Sequence, residues 1–286
     1  MASSPLDRLL NASPRSVGRW IKSGLGARSL LATRPLLPVW EKIVAGPLAG
    51  REVLLDRRGS GAWEDMIHGR FDTELYAALA RAVPASGGVL WDVGAHMGFH
   101  TLGFAAMVGP AGRVVGFEPN PSNRERLRQN LEKNADLAAR VEILSCALSD
   151  RVGESAFVLS HDIDTGASSM SFLDGTTPAV AFSVSRVWDT IVVPLRTVDG
   201  LVRDGVAPPP DALKVDVEGA ELLVLRGAEA TVRASQPAVI VEVHSARLVY
   251  EVQQWLWSHG YAVRLLADVA PSRVLLGAAP PGRDLT

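Results

Sequence analysis

Acidic and histidine side chains recur in this sequence at the ends of short apolar runs. VLWDVG (89–94) brings Asp92 and Gly94 to its end, and RVVGFEP (113–119) brings Glu118. ALKVDVE (212–218) carries Lys214, Asp216 and Glu218, and AVIVEVH (238–244) carries Glu242 and His244. Side chains alternate along a strand, so Lys214, Asp216 and Glu218 share one orientation, and Glu242 and His244 share another. An imidazole titrates near neutral pH, which makes His244 the first choice of general base, with Asp216, Glu218 and Glu242 as the other candidates. A histidine that merely caps the next helix or bonds backbone is an equally open reading. Asp216, Glu242 and His244 are also the residue types that hold a divalent cation, although their spacing does not demand one. Lys214 is expected to pair with a carboxylate on a neighbouring strand.

The turn Gly94-Ala95-His96-Met97-Gly98 follows the first of these runs and leads into a helix carrying Thr101. Glycines there let backbone approach a ligand closely, and a helix start offers free N–H groups. About twenty residues on, Glu118 at a second strand end can accept the two hydroxyl hydrogens of a ribose. An adenosine-containing ligand is therefore expected, and Asp92 is placed to meet the amino group of an amino-acid moiety. A nicotinamide-dependent oxidoreductase uses similar geometry. The turn lacks the G-x-G-x-x-G phosphate cradle, however, and the positions four after Tyr76, Tyr250 and Tyr261 hold Ala80, Gln254 and Leu265 instead of lysine. A metal site at His96 and His100 is not expected, because the pair straddles Gly98.

The elements that must position these residues are legible in the same runs. Adding VEILSCA (141–147), YAVRLLA (261–267) and SRVLLGA (272–278) gives a series of apolar segments with helix-like stretches between most of them. PSNRERLRQNLEKN (121–134) spaces Leu127 and Leu131 as an amphipathic helix does, and FDTELYAALARAV (71–83) reads as a helix capped by Asp72. Such alternation predicts an α/β fold with a doubly wound, mostly parallel sheet. The last two runs lack a helix between them and should form a hairpin with one antiparallel strand. The segment 150–211 reads as irregular, of the kind that makes binding loops or lids. Residues 150–195 of it, together with residues 50–75, are expected to build the acceptor pocket. Residues 1–62 read as a basic, helical N-terminal extension to a catalytic domain over 63–286, with membrane-surface contact a weaker alternative.

Composition narrows the function. Lys and Arg number 29 against 31 Asp and Glu, so the basic footprint of a nucleic-acid binder is missing. The single cysteine, Cys146, excludes an intramolecular disulfide and reads as a small buried apolar residue. No transmembrane run is present, and a cytoplasmic location is the simple expectation.

The blocks WDVGAHMGFHT (91–101), VGFEPNPSNRERLRQN (115–130), ILSCALSD (143–150), SSM (168–170), VPLRTVDGL (193–201), LKVDVEGAELLVLRGA (213–228) and PAVIVEVH (237–244) stand in an order that resembles the FkbM family of S-adenosylmethionine (SAM)-dependent methyltransferases. His96 stands where that family usually has Asn. The resemblance implies the class I methyltransferase fold, with seven strands and helices on both faces. It also implies cofactor contacts from Asp92, Gly94, His96, Gly98, Thr101, Glu118, Cys146, Ala147 and Asp216. Ser168 and Ser169 would meet substrate or cofactor. The implied reaction is O-methylation of a small molecule, a sugar or a lipid-linked glycan. A nicotinamide oxidoreductase and a non-catalytic SAM-binding protein remain the alternatives at this point.

Overall fold

A computed structural model describes residues 38–55, 62–162, 170–173, 176, 186–270 and 273–285. It opens with an antiparallel pair, β1 (Val39–Lys42) and β2 (Glu52–Leu55), in which Val39 faces Leu55. Over 38–55 this hairpin replaces the helix expected there as part of an extension over residues 1–62; residues 1–37 of that extension lie outside the described residues. The physical reason is that Ile43, Leu48, Val53 and Leu55 bury themselves in the main core, which a separate solvated helix would leave exposed. Two short helices follow, α1 (Trp63–Ile67) and α2 (Thr73–Ala82). Asp72 occupies the N-cap position of α2 but caps nothing with its side chain, a second correction. Its φ of 51° turns the carboxylate away from the helix, and Oδ2 instead lies 3.0 Å from His100 Nε2.

From here strand and helix alternate as the sequence predicts. The series runs β3 (Val89–Val93), α3 (Phe99–Met107), β4 (Arg113–Phe117), α4 (Pro121–Lys133), α5 (Ala135–Ala138), β5 (Val141–Leu144) and the two-residue β6 (Ala147–Leu148). Next come β7 (Gly153–Asp162), β8 (Met170–Leu173), β9 (Arg186–Arg196) and α6 (Val198–Arg203). The chain then forms β10 (Ala212–Val215), α7 (Glu221–Arg226), α8 (Glu229–Ser235), β11 (Ala238–Val243), α9 (Ala246–Ser258), β12 (Ala262–Ala270) and β13 (Arg273–Ala279).

Seven strands make one sheet in the order β12-β13-β11-β10-β3-β4-β5. The five strands from β11 to β5 pair in parallel, whereas β13 is antiparallel to both β11 and β12, as the missing crossover helix requires. Alternation along the strands feeds a core on each face. Leu90 and Ile240 enter one core with Leu79 and Leu102, while Trp91, Leu213 and Val241 enter the other with Leu225 and Leu256. α4 starts as its sequence suggests, with Asn120 accepting from Ser122 N–H and Pro121 at the first helical position.

The segment 150–211 holds more order than the sequence predicts. β6, β9, β7 and β8 form a second, four-stranded sheet, with Phe157 opposite both Ile191 and Leu173. Phe157, Leu159, Val193 and Leu195 are buried while Val158, Val192 and Pro194 between them are half-buried or exposed, so the sheet buries one face although its strands are apolar on both. No helix among the described residues is long and apolar enough to cross a membrane.

Candidate active site

The C-terminal ends of β3, β4, β10 and β11 converge on one cleft of about 750 Å³, where open α/β sheets bind ligands. Phe157, Ser171 and Leu173 of the second sheet wall one side, and Met66, Arg70 and Phe71 wall another. Both regions belong to the segments from which the sequence builds an acceptor pocket.

Gly94 sets the close spacing at the bottom. It has φ +84°, and a Cβ built on it would fall 1.9 Å from the carbonyl oxygen of Asp216. Only glycine lets the turn after β3 rest against the end of β10. His96 also takes a left-handed conformation, with φ 50°. Asn and His are among the side chains that tolerate this region best, which explains why histidine can replace the family's usual residue. The strand-end turn then delivers the His96 N–H to Glu118 Oε2 at 2.8 Å, and Asn120 N–H meets Oε1 at 2.8 Å. Burial pushes the Glu118 carboxyl up to about 7 against the pull of these two N–H groups. The Asn123 side chain donates to the same carboxylate, whose roughly four acceptor positions still leave room for a further donor.

Of the residues expected at the cofactor, Gly94, His96, Glu118, Cys146, Ala147 and Asp216 line the cleft. Asp92, Gly98 and Thr101 do not, which revises the expected contact of Asp92 with an amino-acid moiety. Asp92 is fully buried behind the wall, its Oδ2 accepting from Thr101 Oγ1 at 2.6 Å and its Oδ1 lying 3.1 Å from Lys214 Nζ. Lys214 donates to the Gly94 carbonyl at 3.0 Å and reaches Asp216 Oδ2 at 3.4 Å. Burial alone would lower the Lys214 ammonium, but Asp92 and Asp216 hold it well above its ordinary value. Gly98 serves packing, since a Cβ there would come 2.9 Å from Leu127 Cγ. Burial pushes the Cys146 thiol up to about 11, so it stays protonated and unreactive. Ser168 and Ser169 lie outside the described residues.

The expected catalytic residues do assemble. Asp216, Glu218 and Glu242 line the cleft, and His244 lies immediately behind them. His244 Nε2 is 3.6 Å from Asp216 Oδ1, 3.6 Å from Glu218 Oε2 and 3.4 Å from Glu242 Oε1. Sequence reasoning missed the residue that completes the group. Glu221, fully buried in the first turn of α7, sets Oε1 2.5 Å from His244 Nδ1 and accepts the Gly219 N–H at 3.0 Å. The signal was an acid three residues after Glu218 across a glycine turn, inside a block read only as a whole. Burial alone would lower the His244 imidazole, but Glu221, Glu242, Asp216 and Glu218 raise it to about 11. With those carboxylates as its only company it keeps its proton at neutral pH. That corrects its expected role as the general base, since a base must be free to accept. His100 and His96 form no metal pair: His100 stacks on Phe71 and Phe104, and burial lowers it to about 4.

The sequence pattern of the methyltransferase FkbM domain matches residues 92–263, well over half of the chain. The chain belongs to the FkbM methyltransferase family. It carries that family's methyltransferase domain, which overturns the oxidoreductase reading. A family relative, the hexuronic acid methyltransferase AglP of Haloferax volcanii, is 32% identical over 159 residues, covering 55% of this chain and 56% of that protein. The AMB antimetabolite synthetase AmbE of Pseudomonas aeruginosa is 27% identical over 228 residues, covering 69% of this chain and 10% of that protein. The chain thus spans about half the length of one curated relative and a tenth of the other. The crystal structure of an FkbM methyltransferase from Methylobacillus flagellatus shares the fold, with TM-score 0.50 and 17% identity over 91% of this chain and 60% of that one.

The described residues fit the family's cofactor. Glu118 presents a carboxylate with spare lone pairs in a cleft of adenosyl size, and the acids beside it suit a ligand bearing a sulfonium charge.

Proposed function

We propose that the chain methylates a hydroxyl group of a sugar, with SAM as donor, in the cleft between the two sheets. The observation that carries this reading is the convergence of Glu118 with Asp216, Glu218 and Glu242 on one cleft. The likeness to AglP supports a sugar acceptor, and a carboxylated sugar is the first to try.

When bound, SAM supplies a methyl group already activated on sulfur, so the protein need not generate an electrophile. Glu118 holds the ribose hydroxyls through its remaining lone pairs. Cys146 and Ala147, which line the cleft, would border the adenine, and Phe157 and Leu173 would keep that side dry. The acceptor enters between the second sheet and the Met66–Phe71 wall, with its hydroxyl turned toward the strand ends of β10 and β11. Alignment of this kind is worth roughly 7–11 kcal/mol of barrier. The hydroxyl proton passes to a carboxylate of the group Asp216, Glu218 and Glu242, a transfer that typically contributes about 10²–10⁴-fold. His244, anchored by Glu221, holds those carboxylates in place.

The test is methyl transfer from labelled SAM to a panel of sugars with and without a carboxylate, using the wild type and Asp216→Asn. The reading expects transfer to a hydroxylated sugar, with kcat at least a hundredfold lower in the variant. Methylation confined to nitrogen or carbon acceptors would refute it.

A further inference from the structure

We infer that Asp216, Glu242 and His244 form a divalent-cation site at the edge of the cleft, with Glu221 as the carboxylate that keeps His244 in ligating form.

Three observations carry this. One ligand atom from each of the three residues can be chosen so that all lie within 4.8 Å of one another. Ligands bound to a single ion at about 2.0–2.2 Å stand roughly 3.0–3.5 Å apart, close to the 3.4 and 3.6 Å from His244 Nε2 to Glu242 and Asp216.

Next, His244 is only 1% exposed and its Nε2 makes no hydrogen bond, although it points into the carboxylate group. Every one of those oxygens is too far or too oblique. A buried ring nitrogen left in this way costs free energy, and an ion that takes the place of its proton would remove that cost. The other ring nitrogen is fixed by Glu221, whose Oε1 accepts from the Nδ1–H at 2.5 Å while the Gly219 N–H anchors the same oxygen. That is the carboxylate–histidine arrangement that orients an imidazole toward a metal and sets its tautomer.

Charge points the same way. Asp92, Asp216, Glu218, Glu221 and Glu242 gather around Lys214 and His244. Five carboxylates against two cationic side chains leave an excess of negative charge in a largely buried group. A divalent ion offsets it better than the sulfonium of a bound cofactor alone.

Two carboxylates and one imidazole form a mixed oxygen–nitrogen set that suits Mn²⁺ or a neighbouring first-row ion. Three protein ligands leave coordination positions open. Asp216 and Glu242 both face the cleft, so those positions open where the acceptor hydroxyl is placed. There an ion would lower the pKa of the hydroxyl and orient it. This role rests on the proposed O-methylation; the existence of the site does not.

The test is a titration of the chelator-treated full-length chain with MnCl₂. The free-ion electron paramagnetic resonance signal reports binding, and SAM binding is measured on the same samples by calorimetry. The inference expects one Mn²⁺ per wild-type chain, with affinity at least tenfold weaker in Asp216→Asn and about 10–100-fold weaker in Glu221→Gln. Asp216 is the most exposed of the group, so its variant keeps the comparison valid if Glu221→Gln fails to fold. A free-ion signal undiminished by the wild type overturns the site, and so does equal binding by the wild type and Asp216→Asn. A chain that binds Mn²⁺ this way but not SAM supports the site while defeating the proposed function. A chain that binds SAM but not Mn²⁺ does the reverse.

Discussion

At the scale of single residues, the site is organised by which charges are buried and what meets them. Glu118 is the clearest case. Its carboxyl is raised by burial from the ordinary 4.5 to about 7, so the fold favours the protonated form. Stability from this group is therefore full below pH 4.5 and is lost as pH rises through about 7. Ribose hydroxyls donate to the ionised form, so SAM affinity should move the opposite way, about tenfold weaker at pH 6 than at pH 8. Calorimetry on the wild type and Glu118→Gln checks this: the variant should bind weakly at both pH values, and a pH-independent wild-type affinity would contradict the assignment. Lys214 belongs to the same scale. Replacing it by Met leaves the fully buried Asp92 without its cation, which should cost about 3–5 kcal/mol in a urea titration. A loss below about 1 kcal/mol would mean that the pair contributes little.

At the scale of elements, turns set the distances. Gly94→Ala would drive a Cβ into the Asp216 carbonyl and force the end of β10 away from β3. Gly205 also has positive φ, but nothing lies within 4 Å of its Cβ position. Gly205→Ala should thus cost only the backbone penalty of roughly 1–2 kcal/mol, while Gly94→Ala should cost more and abolish SAM binding. Equal melting temperatures for the two variants would count against the close approach. The seven strands of the main sheet were readable because each is a short apolar run, and the absence of a helix before β13 gave its direction. The second sheet escaped because its strands bury one face only. Ser155, Ser160 and Thr190 interrupt the apolar residues there, and the segment's Ser, Gly and Asp content suggested loop. The β1–β2 hairpin escaped because Arg51, Glu52 and Lys42 mask the run Val53–Leu55. In the site, Asp216, Glu218, Glu242 and His244 were visible as acids and a histidine at strand ends. Glu221 was not, since nothing in a linear pattern shows that α7 turns its first residue back beneath β11.

At the scale of the whole molecule, a nearly neutral chain concentrates negative charge in one cleft. Net charge is −2 overall, yet Asp216, Glu218 and Glu242 line the cleft with Glu118, and Asp92 and Glu221 lie buried behind them. Such a field draws a cationic cofactor inward and offers little to a phosphate-bearing one. The fold supports this by placing both walls, the second sheet and the Met66–Phe71 stretch, over the same strand ends. Calorimetric titration of the purified chain with SAM, with NAD in parallel and Glu118→Ala as the comparison, tests the central claim most directly. The account predicts one SAM bound per chain, at least tenfold weaker binding by a folded Glu118→Ala, and no heat from NAD. Heat from NAD with none from SAM, or equal SAM affinity in the variant, would contradict it.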